Sequence, residues 1–185
     1  RVWKWKFSSM ARSANTLLPA SETLQPRIEN GIPFYKFHRL SEFVSLEHLI
    51  FTRLGGVSSP PFASLNVSYD TGDEASRVRE NLRRVRAATN CSSLIYARQN
   101  HSSNIVLLLQ YPRLDPAVPY PLHGKDGFIT QLPDLLMMIK VADCQAIFLF
   151  DPKNKVAAIV HAGWRGSIQN ILANAVHLMR TKFHS

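Results

Sequence analysis

Residues 135–166 read LLMMIKVADCQAIFLFDPKNKVAAIVHAGWRG. Three apolar runs of β type, 135–141, 146–150 and 156–160, are punctuated by Asp143-Cys144 and end in His161-Ala162-Gly163-Trp164-Arg165-Gly166. Ionisable and metal-binding side chains therefore sit where strands give out. Between the second and third runs stands Asp151-Pro152-Lys153-Asn154-Lys155, in which Pro fixes φ and Asp and Asn bond nearby backbone, as a hairpin connection requires. Such a hairpin brings Cys144 and His161, 17 positions apart, to the same end of the sheet.

Downstream, Ile168, Ile171, Leu172, Ala175, Leu178 and Met179 recur at helical spacing and predict one apolar, core-facing stripe. The residues 163–166 open that helix, where free N–H groups and the positive charge of Arg165 favour an anion such as phosphate. Upstream, a β-type run at 105–109 follows the polar loop Arg98-Gln99-Asn100-His101-Ser102-Ser103-Asn104, and 94–97 precedes it. The Pro-rich stretch 111–125 is an irregular excursion that leads into Asp126-Gly127-Phe128-Ile129-Thr130.

Residues 73–89 predict a helix with Asp73 and Glu74 in its first turn and arginines later, a polarity that complements the helix dipole. No aromatic residue interleaves with these arginines, so the net charge of +9 is read as a solvated basic surface or an anion-attracting one before nucleic-acid binding. Residues 32–37 predict an edge strand with Pro33 at its start, 41–49 is ambiguous, and 50–53 predicts a short strand. After it, Gly55-Gly56 would let a backbone approach a ligand closely, with Arg53 just before, but the local pattern favours an ordinary surface loop. Residues 1–30 carry no acid before Glu22 and have four bases up to Arg12. They are expected to be a basic disordered tail or an artefact ahead of a start at Met10, with an organellar targeting segment as the alternative, and are set outside the fold.

The 185 residues, 45% hydrophobic, predict one globular domain with a real core over 31–185. No apolar run reaches the roughly 20 residues that span a bilayer. Two cysteines do not make a disulfide scaffold; Cys91 is read as an inert thiol. His101, Cys144 and His161 form a candidate set, two imidazoles and a thiolate at strand ends that leave a fourth tetrahedral position open, as catalytic zinc does. The same atoms also suit a Cys-His nucleophile pair, with His161 lowering the thiol pKa and Asp143 orienting an imidazole. The residues alone leave both readings open. Multi-copper chemistry is disfavoured, because the seven histidines contain no His-x-His pair.

The motifs TRLGGVS (52–58), SLN (64–66), Gly72-Asp73, Val78 with Asn81, Gln99-x-His101, DGFIT (126–130), ADC (142–144) and HAGWRG (161–166) occur in this order. Together they resemble the laccase-domain (YfiH-like) family over about 32–182. The resemblance implies a mixed-sheet α-β-β-α sandwich and a cytoplasmic, zinc-dependent purine nucleoside phosphorylase, formerly regarded as a multicopper polyphenol oxidase. Its substrates would be purine nucleosides (adenosine, inosine, guanosine, methylthioadenosine) and phosphate, with adenosine deaminase activity besides. It implies zinc at His101, Cys144 and His161, catalytic or ligand-binding parts for Arg53 and Arg165, and substrate contacts from Ser64, Asn66 and Gly163. The alternatives are a peptidoglycan precursor editing factor at the same site, a catalytically silent metal-binding domain, and a copper polyphenol oxidase. Departures from the family pattern are Ser102 for Gly, Gln145-Ala146 where Pro is common, and Leu82 for Arg. A C-terminal segment of the family is also expected to be missing after Ser185.

Overall fold

Two of the three central strands share a hairpin, while the first belongs to a different sheet. In the computed structural model, which describes residues 3–9, 21–89, 93–112 and 122–185, the strands are β1 (Trp3–Ser9), β2 (Leu24–Glu29), β3 (Ile32–Phe37), β4 (Leu46–Phe51), β5 (Ser93–Ile95) and β6 (Ala97–Arg98). They continue with β7 (Ile105–Leu108), β8 (Leu122–His123), β9 (Gly127–Thr130), β10 (Leu135–Val141), β11 (Gln145–Asp151) and β12 (Val156–Ala162). The helices are α1 (Ala75–Ala87), α2 (Trp164–Ile168) and α3 (Ile171–Phe183). Six strands form a mixed sheet in the order β2-β3-β4-β1-β10-β5, four form a second in the order β11-β12-β9-β7, and β6 pairs with β8. The bend at 142–144 is thus where the chain leaves one sheet for the other.

Alternation along the strands explains the layers, because successive side chains point to opposite faces. In β10, Leu136 and Met138 pack with Val78, Leu82 and Val85 of α1, while Leu135, Met137 and Ile139 pack between the sheets with Phe128 and Ile159. In β12, Ala157 and Ile159 face that same inter-sheet core, and Val156, Ala158 and Val160 meet Ile171, Ala175, Met179 and Phe183 of α3. Helix, sheet, sheet and helix follow in that order, the α-β-β-α sandwich that the resemblance implies. Among the described residues no helix is long and apolar enough to cross a membrane.

The β11–β12 pairing is antiparallel with Ala146 opposite His161, as the turn chemistry predicts; Asp151 accepts bonds from the Lys153 and Asn154 amides to shape the connection. Other expectations need correction. β3 is not an edge strand, because β2 pairs outside it. Exclusion of residues 1–30 does not describe β1 or β2: β1 runs parallel between β4 and β10 in the middle of the larger sheet. The alternation Trp3-Lys4-Trp5-Lys6-Phe7 has the period of a strand, a signal masked by its basic composition. Asp73 and Glu74 precede the first turn of α1, with Glu74 in the N-cap position. The predicted C-terminal stripe is broken at Asn170, whose backbone is left-handed. Ile171, Ala175 and Met179 are buried as expected, but Ile168 is 73% and Leu172 42% exposed. Cys91, most of the Pro-rich excursion and Met10 lie outside the described residues.

The arginines of α1 are largely answered locally: Arg83 and Arg84 both bind Glu80, and Arg77 binds Glu74. Two cations beside Glu80 hold its carboxyl down at about 2. These pairs make the solvated-face reading of the net charge the better one.

Candidate active site and metal centre

His101, Cys144 and His161 come together, with one donor atom from each lying within 4.8 Å of the others. Three different elements deliver them: His101 from the loop between β6 and β7, Cys144 from the bend between sheets, and His161 from the penultimate position of β12. His161 is buried, whereas His101 and Cys144 are half-buried and open to a cavity of about 270 Å³. Tetrahedral zinc with sulfur and nitrogen ligands needs donors about 3–4 Å apart, so a small contraction of this triad suffices. The donor set is borderline-soft and fits zinc. Among the described residues it is the one group of three such ligands, which does not meet the needs of a multi-copper cluster.

Asp126 organises the ligands and had no role in the sequence reading. Fully buried, its carboxylate accepts from His161 Nδ1 at 2.8 Å, from the His101 and Ser102 amides at 3.0 and 2.9 Å, and from the Ser102 hydroxyl at 2.8 Å. Burial alone would raise its pKa, but the bonds from His161 and Ser102 outweigh that and lower it. Because Nδ1 of His161 donates to Asp126, Nε2 is left for a metal, the usual outer-shell arrangement. The same carboxylate pins His101 in a left-handed backbone conformation, φ 61°, which a non-glycine residue adopts only when its surroundings hold it there. Asp126→Asn is therefore expected to lower metal affinity by about 10- to 100-fold. A zinc-chelator competition titration checks this, and an unchanged affinity would remove Asp126 from the ligand scaffold.

At Gly163, expected to contact substrate, a Cβ would lie 2.3 Å from His101 Nδ1, so the glycine makes room for that imidazole. Asn66 lines the cavity, but its amide is occupied by Ser68, Thr71 and Asp73. Arg53 and Ser64 do not line it. They brace one another, with Arg53 Nε donating to the Ala63 carbonyl and Ser64 donating to the Arg53 carbonyl. Arg165 is exposed on α2, its guanidinium 4.9 Å from the centre of the Trp164 ring, also away from the cavity lining. The cavity lining adds Asp70 and Lys140, and Gln99 of the Gln99-x-His101 motif, to which the sequence assigned no role. Gln99 grips the Lys140 backbone, accepting from its amide at 2.8 Å and donating to its carbonyl at 2.9 Å.

The thiol-nucleophile reading loses ground. Burial, with Asp143 and Asp126 nearby, pushes the Cys144 pKa up, the opposite of an activated thiolate. The ring nitrogen beside its sulfur is His101 Nδ1 at 3.9 Å, while His161 Nδ1 is engaged by Asp126. A cation would reverse the thiol's preference by charge alone.

Residues 47–185 match the family model described as multi-copper polyphenol oxidoreductase laccase. A purine nucleoside phosphorylase of Bacteroides thetaiotaomicron is 30% identical over 151 residues, covering 80% of this chain and 56% of that protein. Purine nucleoside phosphorylase YfiH of Escherichia coli is 32% identical over 126 residues, 68% of this chain and 49% of that one. The chain thus spans about half the length of these curated relatives. Among solved structures, the hypothetical protein YfiH of Bacillus licheniformis superposes with a TM-score of 0.73 at 25% identity, over 86% of this chain and 60% of that chain.

Proposed function

This chain belongs to the multi-copper polyphenol oxidoreductase laccase family, and we propose that it carries the metal site of a zinc-dependent purine nucleoside phosphorylase, with adenosine deamination as a second activity. The observation that carries the reading is the His101, Cys144 and His161 triad, oriented by Asp126 and open to a cavity. Relatives at about 30% identity bear the phosphorylase name. Family membership through a laccase model does not favour phenol oxidation here, because the one three-ligand group among the described residues has two imidazoles, fewer than a multi-copper cluster uses.

Phosphorolysis forms a bond from a phosphate oxygen to the sugar C1′ and breaks the C1′–N9 bond, the purine leaving with the electron pair. When bound, zinc supplies Lewis-acid polarisation of a substrate oxygen. The protein's own contribution is placement: His161 Nε2 is presented in a fixed tautomer, and His101 is locked by Asp126 and by the close approach of Gly163. Such preorganisation lowers the entropy lost on reaching the transition state.

Zinc-loaded protein incubated with adenosine, with and without phosphate, tests the reading by separation of adenine, inosine and hypoxanthine. Adenine that appears only with phosphate is the expected result. Inosine formed without phosphate reports the deaminase, and neither product under any condition would overturn both activities for this chain.

A further inference from the structure

We propose that Lys140 is the seat of the anionic co-substrate, its ammonium holding an inorganic phosphate oxyanion in the cavity beside the metal ligands. The inference rests on the phosphorylase reading for its choice of anion. Its foundation is geometric. The same cavity is lined by His101, Cys144 and His161 and by Lys140 and Asp70. With the imidazoles given to the metal, Lys140 is the one lysine or arginine on that lining. The two arginines expected to take catalytic or ligand-binding parts are not on that lining: Arg53 is braced against the Ala63 carbonyl and Arg165 lies over Trp164.

Lys140 is also held in place. Its backbone pairs with Ser8 of β1 on one side and with the Gln99 side chain through two hydrogen bonds on the other. Gln99 lies two residues before His101, so one loop positions both a metal ligand and the lysine. A site built on a strand end and clamped this way keeps its geometry better than one on a free loop. Arg98 joins the cluster by an ion pair to Asp70, Nε to Oδ1 3.1 Å. That pair offsets the Asp70 carboxylate, which would otherwise repel an anion from the lysine.

Burial pushes the Lys140 ammonium down to about 8, with Asp70 acting to raise it and Arg98 to lower it. A partly desolvated cation gains more from an arriving anion than a hydrated one does. The charged groups around the cavity are Asp70, Arg98, Asp143, Cys144, His101 and His161. Of these, a bound metal already fixes the charge of the three ligands, so the lysine is the group whose titration changes anion affinity near pH 8.

Equilibrium dialysis of labelled inorganic phosphate against the zinc-loaded protein tests the site directly, alongside KM values for phosphate and nucleoside. Lys140→Met is expected to weaken phosphate binding about 10- to 100-fold, the range for losing a bond to a charged group. It should raise KM for phosphate by a similar factor and leave KM for nucleoside nearly unmoved. Lys140→Arg should retain most of the affinity. Wild-type affinity should fall as pH rises through about 8, and that of Lys140→Arg should not, because the guanidinium stays charged. Phosphate bound equally by wild type and Lys140→Met, or not bound by wild type, would overturn the proposal. Phosphate bound through Lys140 by a protein that cleaves no nucleoside would uphold the anion site and sink the phosphorylase reading alone.

Discussion

Cys144→Ala is expected to leave the protein folded, without its metal and without phosphorolysis. The sulfur is one of three donors on three separate elements, and two imidazoles alone make a weak and unselective zinc site. Changes in the shell behind a ligand typically cost about 10- to 100-fold; loss of the ligand itself should cost at least about 10³-fold in activity. The fold should tolerate the change, because Cys144 is half-buried at a bend between sheets and supplies no core contact. Metal content by mass spectrometry, turnover with phosphate, and a thermal melt of both metal-free proteins check the three parts separately. A variant that kept stoichiometric zinc and full turnover would end the assignment of the site. The wild-type thiol adds a sign: burial and nearby carboxylates favour its protonated form, whereas the metal takes the thiolate. Zinc uptake should therefore release a proton, and apparent affinity should fall as pH is lowered.

The residues that the sequence made legible are those whose pattern is local. Strands β10, β11 and β12 lie within a residue or two of the apolar runs; in β10 and β12 continuous burial writes itself as continuous hydrophobicity. The β11–β12 hairpin was readable from Asp151, Pro152 and Asn154. The partition of β10 and β11 into different sheets was not, since nothing in Ala142-Asp143-Cys144 distinguishes a bend within a sheet from a crossing between sheets. β1 escaped for a related reason: its partners β4 and β10 are remote in sequence. At the site, the ligands stood out as His and Cys at strand ends, but Asp126 did not. One acid before a buried strand is ordinary until the donors from His101, Ser102 and His161 around it are known. Arg53 drew a ligand-binding expectation from the family resemblance; its Nε donates to the Ala63 carbonyl and it is not among the residues lining the cavity. Leu172 fitted the helical stripe by spacing and is exposed nonetheless, because the turn at Asn170 re-aims the helix.

Asn81→Leu should produce the largest loss of stability. Asn81 sits on the face of α1 that Val78, Leu82 and Val85 bury, and it is itself fully buried. A polar residue there must satisfy all of its bonding capacity within the protein. It does so by clamping one loop at several points: Oδ1 accepts from the Val57 amide at 2.8 Å, and Nδ2 donates to the Ser58 hydroxyl and to the Ser64 and Asn66 carbonyls. Leucine of similar volume would fill the space and take their Asn81 partner from the Val57 amide and the Asn66 carbonyl, while the Ser64 carbonyl keeps the Ser58 amide. At about 1–3 kcal/mol for each unsatisfied group, and with some relaxation, the net cost is about 3–5 kcal/mol. That is a large share of a typical total of about 5–15 kcal/mol, and corresponds to a fall of roughly 10 °C in Tm. The same loop closes around Gly56, where a Cβ would lie 2.0 Å from the Ser64 carbonyl oxygen, so it has no slack to reorganise. It also carries Asn66 and Val67 to the cavity wall, and so loosening it should raise KM for nucleoside in the fraction that remains folded. Urea unfolding should show a lower midpoint with an unchanged slope. A loss below about 1 kcal/mol would mean that water replaces the clamp, and that the loop owes its shape to Arg53 and Ser64 instead.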